Sequence, residues 1–121
     1  MKIIVTGGAG FVGSHVVDAY VTAGHQVIVV DNLITGKREN VHPGARLVEM
    51  DINDPDLLYL IWEERPDLIN HHAANASVSL SVREAYADAQ WNILGTLHVL
   101  EAARRAEVGK FIYISSGGAM Y

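Results

Sequence analysis

The sequence predicts an α/β fold: a doubly wound parallel sheet with strand order 3-2-1-4-5, lying between two layers of helices (α/β/α). Short β-branched apolar runs, typical of buried parallel strands, alternate with segments of helical periodicity. The first of these runs passes directly into a glycine-rich turn that opens a helix. Right-handed crossovers between such strands place ligands at their carboxyl ends, beside the switch between strands 1 and 4.

Apolar runs bounded by turn residues predict five strands, at residues 2–6, 26–31, 46–51, 67–70 and 110–114. A first helix over residues 11–23 is indicated by apolar side chains that recur at Val12, Val16 and Tyr20. Gly24 follows this helix and is expected to close it, because glycine readily adopts the left-handed conformation after a last turn.

Two further helices are predicted between the later strands. The second is expected to begin with Asp54 as the N-cap and Pro55 at its first position. The third is predicted over residues 81–107, although its pattern is weak at 85–89, and its apolar stripe consists of Ile93, Leu97 and Leu100.

Length and composition exclude several classes of protein. The 121 residues fit one domain, and a hydrophobic content of 50% with 19% charged residues favours a buried core. A net charge of −5 argues against nucleic acid as a partner, and the absence of cysteine excludes thiolate metal sites and cysteine nucleophiles. Neither a signal peptide nor an apolar run of roughly 20 residues is present, so we expect a cytoplasmic protein without a membrane partner.

The turn after the first strand carries a dinucleotide-binding pattern. It fits Gly-x-Gly-x-x-Gly at Gly8, Gly10 and Gly13, and Gly7 precedes them. Glycines allow the tight turn, the approach of a pyrophosphate to the main chain and the close packing of the helix on the sheet. The free N–H groups and the positive end of the helix dipole then face the phosphates.

An acid at the end of the second strand strengthens this interpretation. The Asp31 carboxylate can accept hydrogen bonds from both ribose hydroxyls of an adenosine, and its charge would repel a 2′-phosphate. NAD is therefore favoured over NADP, although Lys37 or Arg38 could reach a phosphate instead of lying solvated in a loop. Residues 1–121 are thus predicted to form one NAD-binding Rossmann domain.

Three other interpretations of these patterns are less favoured. A P-loop is excluded because neither Gly-Lys pair is followed by Ser or Thr. A methyltransferase also combines a glycine loop with an acid after strand two, but the double glycine after Thr6 disfavours it. His71 and His72 suggest a metal site, but neighbouring strand residues point to opposite faces and no third ligand lies nearby, so no metal is predicted.

Six motifs along the chain, in this order, resemble those of the extended short-chain dehydrogenases: TGGAGFVGSH, DNLITGKREN, DIND, HHAANASV, NILGT and YISSGGAMY. Within that superfamily the chain resembles the NAD-dependent nucleotide-sugar epimerases and dehydratases, and most of all the UDP-glucose 4-epimerase group. In this family, bound NAD accepts a hydride from the sugar, which passes through a keto intermediate.

The resemblance implies a cofactor role for thirteen residues. It implies that the glycine turn binds the pyrophosphate, that Asp31 and Asn32 lie at the adenosine ribose, and that Asp51 and Ile52 contact the adenine. The nicotinamide half of the cofactor is assigned to Ala73, Ala74 and Ser115, and Asn92 steadies the cofactor and the loop after the fourth strand. The full set is Gly7, Gly10, Phe11, Val12, Gly13, Asp31, Asn32, Asp51, Ile52, Ala73, Ala74, Asn92 and Ser115. Simpler roles stay open: Asn92 could face solvent, Ser115 could merely end a strand, and the alanines could be small for packing.

The chain departs from the family in its catalytic residues. The family's Tyr-x-x-x-Lys, in which Tyr is the general base, does not occur in these 121 residues. The position that often carries the catalytic Ser or Thr of the family is Gly117 in this chain. Some family members share this Ser/Thr-Gly-Gly form, and in those the preceding residue, here Ser116, is the candidate for the catalytic hydroxyl. We therefore expect the NAD-binding portion of a nucleotide-sugar epimerase or dehydratase, inactive alone because the sugar-nucleotide domain is also missing.

The alternative is a non-catalytic module that binds NAD(H) for sensing or scaffolding. In either case the resemblance implies a homodimer through the helix at residues 81–107, provided that its outer face is apolar. A nucleotide sugar is the substrate implied for the complete enzyme.

Overall fold

A computed structural model describes residues 1–34, 36–72 and 82–114 of the chain. Its elements are, in chain order, β1 (Lys2–Thr6), α1 (Phe11–Thr22), β2 (Gln26–Asp31), a 3₁₀ turn (Arg38–Asn40), β3 (Arg46–Glu49), α2 (Asp56–Glu64), β4 (Leu68–His72), α3 (Val82–Arg105) and β5 (Lys110–Ile114). The strands form one parallel sheet in the order β3-β2-β1-β4-β5. The predicted fold class and strand order are confirmed.

The central strand β1 contributes to both hydrophobic layers, because successive side chains of a strand point to opposite faces. Ile4 packs with Leu57 and Ile61 of α2 and with the inner face of α3. Ile3 and Val5 pack on the other face against Val17 of α1. These apolar side chains are fully buried, which makes the sheet the middle of three layers.

Two strand ends differ from the predicted ones. β3 ends at Glu49, two residues earlier than expected, because Asp51 turns the chain: its Oδ1 accepts a hydrogen bond from the Asn53 N–H at 2.8 Å. β4 continues to His72, where His71 pairs with β1 and His72 with β5. The apolar pattern ends before the histidines, whereas the backbone pairing of the strand does not depend on side-chain polarity.

The face of α1 that packs on the sheet agrees with the predicted stripe only in part, since Tyr20 packs against the core and Val12 does not. Gly13 and Val17 are buried, whereas Val12 is 58% exposed, so the stripe predicted from Val12, Val16 and Tyr20 is wrong at its first member. Glycine has no side chain, and a pattern of apolar side chains therefore cannot reveal that a glycine faces the sheet.

Helix ends agree with the signals in the sequence. Gly24 has a φ of 91° and donates its N–H to the Val21 carbonyl at 3.0 Å, as expected for the residue that closes α1. The Asp54 side chain accepts a hydrogen bond from the N–H of Asp56, the first residue of α2, at 2.8 Å. Pro55, predicted to be the first helical residue, lies directly before this start and already has a helical φ of −57°.

The long helix α3 has an inner and an outer face of different size. Small residues pack on the sheet: Val99, Ala102 and Ala103, followed by Ala106 just after the end of the helix. Large apolar residues face outward and are 40–59% exposed: Ile93, Leu94, Leu97 and Leu100. The predicted apolar stripe therefore lies on the outer face, and α3 runs without a break through its weakly patterned start at 85–89. Within the described residues, no helix is long and apolar enough to cross a membrane.

Candidate dinucleotide-binding site

The glycine turn links β1 to α1 with very little space. Gly7 has a φ of 71°, in the left-handed region, and its carbonyl accepts the Gly10 N–H at 3.2 Å. A Cβ on Gly13 would lie 2.2 Å from that same Gly7 oxygen, and a Cβ on Gly8 would lie 2.8 Å from Val29. The turn therefore needs glycines for two of the three physical reasons predicted for it, an unusual backbone angle and close helix packing.

The start of α1 has hydrogen-bond donors that the described residues leave free. Its N-cap, Gly10, has no side chain to cap it, and its first turn contains no acid. The first bond within the helix runs from the Ser14 N–H to the Gly10 carbonyl at 2.9 Å. No described residue accepts a hydrogen bond from the N–H groups of Phe11, Val12 and Gly13, which lie at the positive pole of the helix. The donor set fits a pyrophosphate.

Asp31 lies next to this turn and is only 9% exposed. Its Oδ2 accepts a hydrogen bond from the Ala9 N–H at 3.0 Å, and its Oδ1 accepts one from the Leu33 N–H at 2.8 Å. Each carboxylate oxygen has a further lone pair that can accept a ribose hydroxyl. The acid predicted to hold the ribose therefore also joins the glycine turn to the end of β2.

The residues predicted for the ribose and for the adenine lie together. The Asn32 Nδ2 donates to the Asp51 Oδ2 at 3.2 Å. Ile52 is half-buried against α3, and a Cβ on Gly95 would lie 2.4 Å from its Cδ1. The sequence analysis did not identify Gly95 as important for this contact, although a glycine inside a helix often marks such a close approach. Asn92 lies one turn earlier on the same helix and is half-buried.

The loop after β2 also contacts the glycine turn, which the sequence did not reveal. Asn40 and the Lys37 backbone both donate to the Ala9 carbonyl, and Gly36 packs against Ala9. Arg38 forms an ion pair with Glu49 at 2.7 Å. The Arg38 guanidinium, one of two predicted alternatives for a 2′-phosphate, is thus already engaged by a carboxylate.

His71 is fully buried and bridges β1 and α3. Its Nδ1 contacts the Thr6 hydroxyl, and its Nε2 lies 3.0 Å from the Thr96 Oγ1. Since the Thr96 hydroxyl donates to the Asn92 carbonyl, it accepts from the Nε2–H, and Nδ1 accepts from Thr6. Burial, followed by the neighbouring charge of His72, lowers the pKa of His71 to about 4. His71 is therefore neutral near pH 7.

Both ring nitrogens of His71 are hydrogen-bonded, so neither is free to bind a metal ion. Among the described ranges, no group of three or more His, Asp or Glu side chains could hold one. Four predicted site residues fall outside the described residues, namely Ala73, Ala74, Ser115 and Ser116. Their roles stay predictions.

A family model described as the NAD dependent epimerase/dehydratase family matches residues 3–121. The chain belongs to this family. It is 43% identical over 119 residues to a putative UDP-glucose 4-epimerase of Methanocaldococcus jannaschii. This match covers 98% of this chain and 39% of that protein. The chain thus spans well under half the length of this curated relative.

Two solved structures are similar in both sequence and fold. UDP-glucose 4-epimerase of Thermotoga maritima, solved with UDP-glucose, is 50% identical with a TM-score of 0.88, over 98% of this chain and 39% of that one. UDP-glucose 4-epimerase of Thermus thermophilus, solved with NAD, is 45% identical with a TM-score of 0.88, over 100% of this chain and 39% of that one. The predicted family is confirmed, and the predicted cofactor is confirmed as that of the family.

Proposed function

We propose that this chain is the NAD-binding portion of a nucleotide-sugar epimerase that acts as the UDP-glucose 4-epimerases do. The observation that carries the proposal is the uncapped start of α1 directly beside the buried carboxylate of Asp31. One feature suits a pyrophosphate and the other a ribose with free 2′- and 3′-hydroxyls. The identity to two epimerases, at 45% and 50%, supports the choice of reaction.

Each described group has a distinct task in this proposal. The N–H groups of Phe11, Val12 and Gly13 bind the pyrophosphate, and Asp31 binds the adenosine ribose. Asn32 and Asp51 hold each other at the edge where the adenine lies. Bound NAD supplies a hydride acceptor for the sugar, and the chain's own residues orient it. Ser116 remains the proposed hydroxyl partner of that step.

A second function is favoured by one observation on the sequence. The 121 residues contain no Tyr-x-x-x-Lys, so the chain on its own would bind NAD without turning over a sugar. As a non-catalytic module it would keep the same NAD site. We give this second place because the match to epimerases extends over 98–100% of the chain. The cytoplasmic location also stays a prediction.

Calorimetric titration with NAD and with NADP tests the binding site. Binding of NAD at least about tenfold tighter than NADP is expected, because the Asp31 carboxylate repels a 2′-phosphate. A folded protein that binds neither would refute the proposal. The mass and activity of the protein isolated from its natural source then separate the two functions. A polypeptide well above 13.2 kDa that converts UDP-glucose to UDP-galactose is the epimerase, whereas one that binds NAD without conversion is the non-catalytic module.

The outer face of α3 supports a further proposal, a homodimer. Leu97 and Leu100 lie exposed beside a surface groove lined in part by Ile93 and Leu94. Such a contiguous apolar face on a long helix is suited to helix packing with a second copy. Sedimentation equilibrium of Leu97→Lys should show a monomer where the unmodified protein is a dimer. Tyr59→Lys, at an exposed aromatic residue of α2, is the control and should stay dimeric.

A further inference from the structure

Ala9 lies in the middle of the glycine turn and is fully buried. Its peptide groups are bonded in two directions. The N–H donates to Asp31, and the carbonyl oxygen accepts from the Lys37 N–H at 3.1 Å and from the Asn40 Nδ2 at 3.2 Å. The carbonyl therefore has both of its lone pairs engaged by the loop that follows β2.

Gly36 completes this contact through packing. A Cβ on Gly36 would lie 2.9 Å from the Ala9 carbonyl carbon and 3.0 Å from its oxygen. Contacts this short with backbone atoms cannot be relieved by turning a side chain, so a larger residue would have to displace the glycine turn. Residues 36–40, which we name the clamp segment, thus contact Ala9 through three of their members: Gly36 by packing, and Lys37 and Asn40 by hydrogen bonds.

The position of Ala9 matters because its neighbours form the phosphate site. The Ala9 carbonyl belongs to the same peptide unit as the N–H of Gly10, the N-cap of α1, and the free donors follow directly. A turn rich in glycine has wide conformational freedom, which must be lost before it can bind an anion. Contacts that hold the turn before binding reduce that loss and raise affinity.

We propose that Gly36 and Asn40 are positioning residues that hold the dinucleotide loop in its binding shape through Ala9. The inference rests on the proposed NAD site. Neither side chain needs to touch the cofactor, since each acts on the Ala9 peptide. Asn40 is itself exposed, so a change of its side chain leaves the hydrophobic core untouched and tests the hydrogen bond alone.

The first test compares three variants by calorimetric NAD titration at 20 °C, with a thermal melt of each. Asn40→Ala removes the donor and should raise the Kd for NAD about threefold to tenfold. Asn40→Asp turns a carboxylate oxygen toward the Ala9 carbonyl and should raise it further. Glu39→Gln changes an exposed neighbour in the same turn and should leave the Kd within about twofold.

The second test works through packing instead of hydrogen bonding. Gly36→Ala should raise the Kd for NAD at least about tenfold, because the added methyl displaces Ala9. Gly109→Ala is the matched control, since its Cβ would meet only the Asp67 carbonyl at an ordinary 3.5 Å. It should leave the Kd unchanged. If an Asn40 variant does not fold, the remaining variants decide.

If Gly36 and Asn40 stabilise the fold but do not position the dinucleotide loop, the variants should give a different result. Their melting temperatures would fall while the Kd, measured on folded protein, stayed within twofold of the original, and this outcome would overturn the inference. A failure of the proposed function is distinguishable from this outcome, because the unmodified protein and Glu39→Gln would then not bind NAD at all.

Discussion

Replacing Asp31 by asparagine keeps the size of the side chain and removes one acceptor. At present one carboxylate oxygen accepts from Ala9 at 3.0 Å and the other from Leu33 at 2.8 Å, in a side chain that is only 9% exposed. An amide has one acceptor oxygen, so its NH₂ group would face a backbone N–H, donor against donor. Loss of a hydrogen bond to a buried charge typically costs about 2 kcal/mol.

We expect two effects of Asp31→Asn. The free energy of unfolding in urea should fall by about 2 kcal/mol, which lowers the melting temperature by roughly 10 °C in a domain of about this size. The Kd for NAD should rise about 10- to 100-fold, because the ribose hydroxyls lose a charged acceptor and the glycine turn loses its attachment to β2.

The matched control is Asp67→Asn. Asp67 accepts a backbone N–H at 2.8 Å from Lys2, in an exposed position at the opposite end of the same sheet. This variant should bind NAD with an unchanged Kd. Equal NAD affinity for Asp31→Asn and the unmodified protein, both folded, would refute the assignment of Asp31 to the ribose and the turn.

Three further predictions follow from distances and burial. Gly13→Ala places a Cβ 2.2 Å from a backbone oxygen, so circular dichroism melts should show that the free energy of unfolding falls by about 1–3 kcal/mol or that no folded state remains. A melt like that of the unmodified protein would contradict this packing. The pKa of His71 is about 4 when folded against 6.5 when unfolded, so the unfolded chain takes up the proton first as the pH falls. Urea titrations should therefore find full stability above about pH 6.5 and about 2 kcal/mol less at pH 5 from this group, a slope that His71→Gln should lack. Glu49→Gln frees Arg38 from its ion pair and should raise the affinity for NADP relative to NAD about twofold to fivefold, as measured by paired titrations; an equal rise in a variant that also carries Arg38→Gln would contradict the role of Arg38.

Much of this molecule follows from local features of the sequence. The bounds of β1, β2 and β5 agree with their apolar runs. For β1 and β2 the reason is that a strand buried on both faces must be apolar along nearly its whole length. Gly24 and Asp54 end and begin helices as expected, because capping involves only neighbours in the chain. The glycine turn and Asp31 could also be assigned from the sequence, because their spacing along the chain indicates their chemistry.

Contacts between distant segments could not be predicted in this way. Nothing in the pattern reveals that Asn40 reaches Ala9 or that Gly95 lies against Ile52, because each contact joins segments that meet only after the sheet has formed. The buried face of α1 was misassigned at Val12 for a related reason, because Gly13 packs on the sheet through its lack of a side chain.

The sequence by itself determined the fold class, the family and the cofactor, because these depend on periodicity, glycine spacing and one acid. Only the tertiary structure decided how the site is held: the engagement of Arg38 by Glu49, the neutral hydrogen-bonded state of His71, and the contact of the clamp segment with Ala9. Hydrogen-bond geometry and burial are properties of packed neighbours, and local patterns along a chain do not show which distant residues will become neighbours.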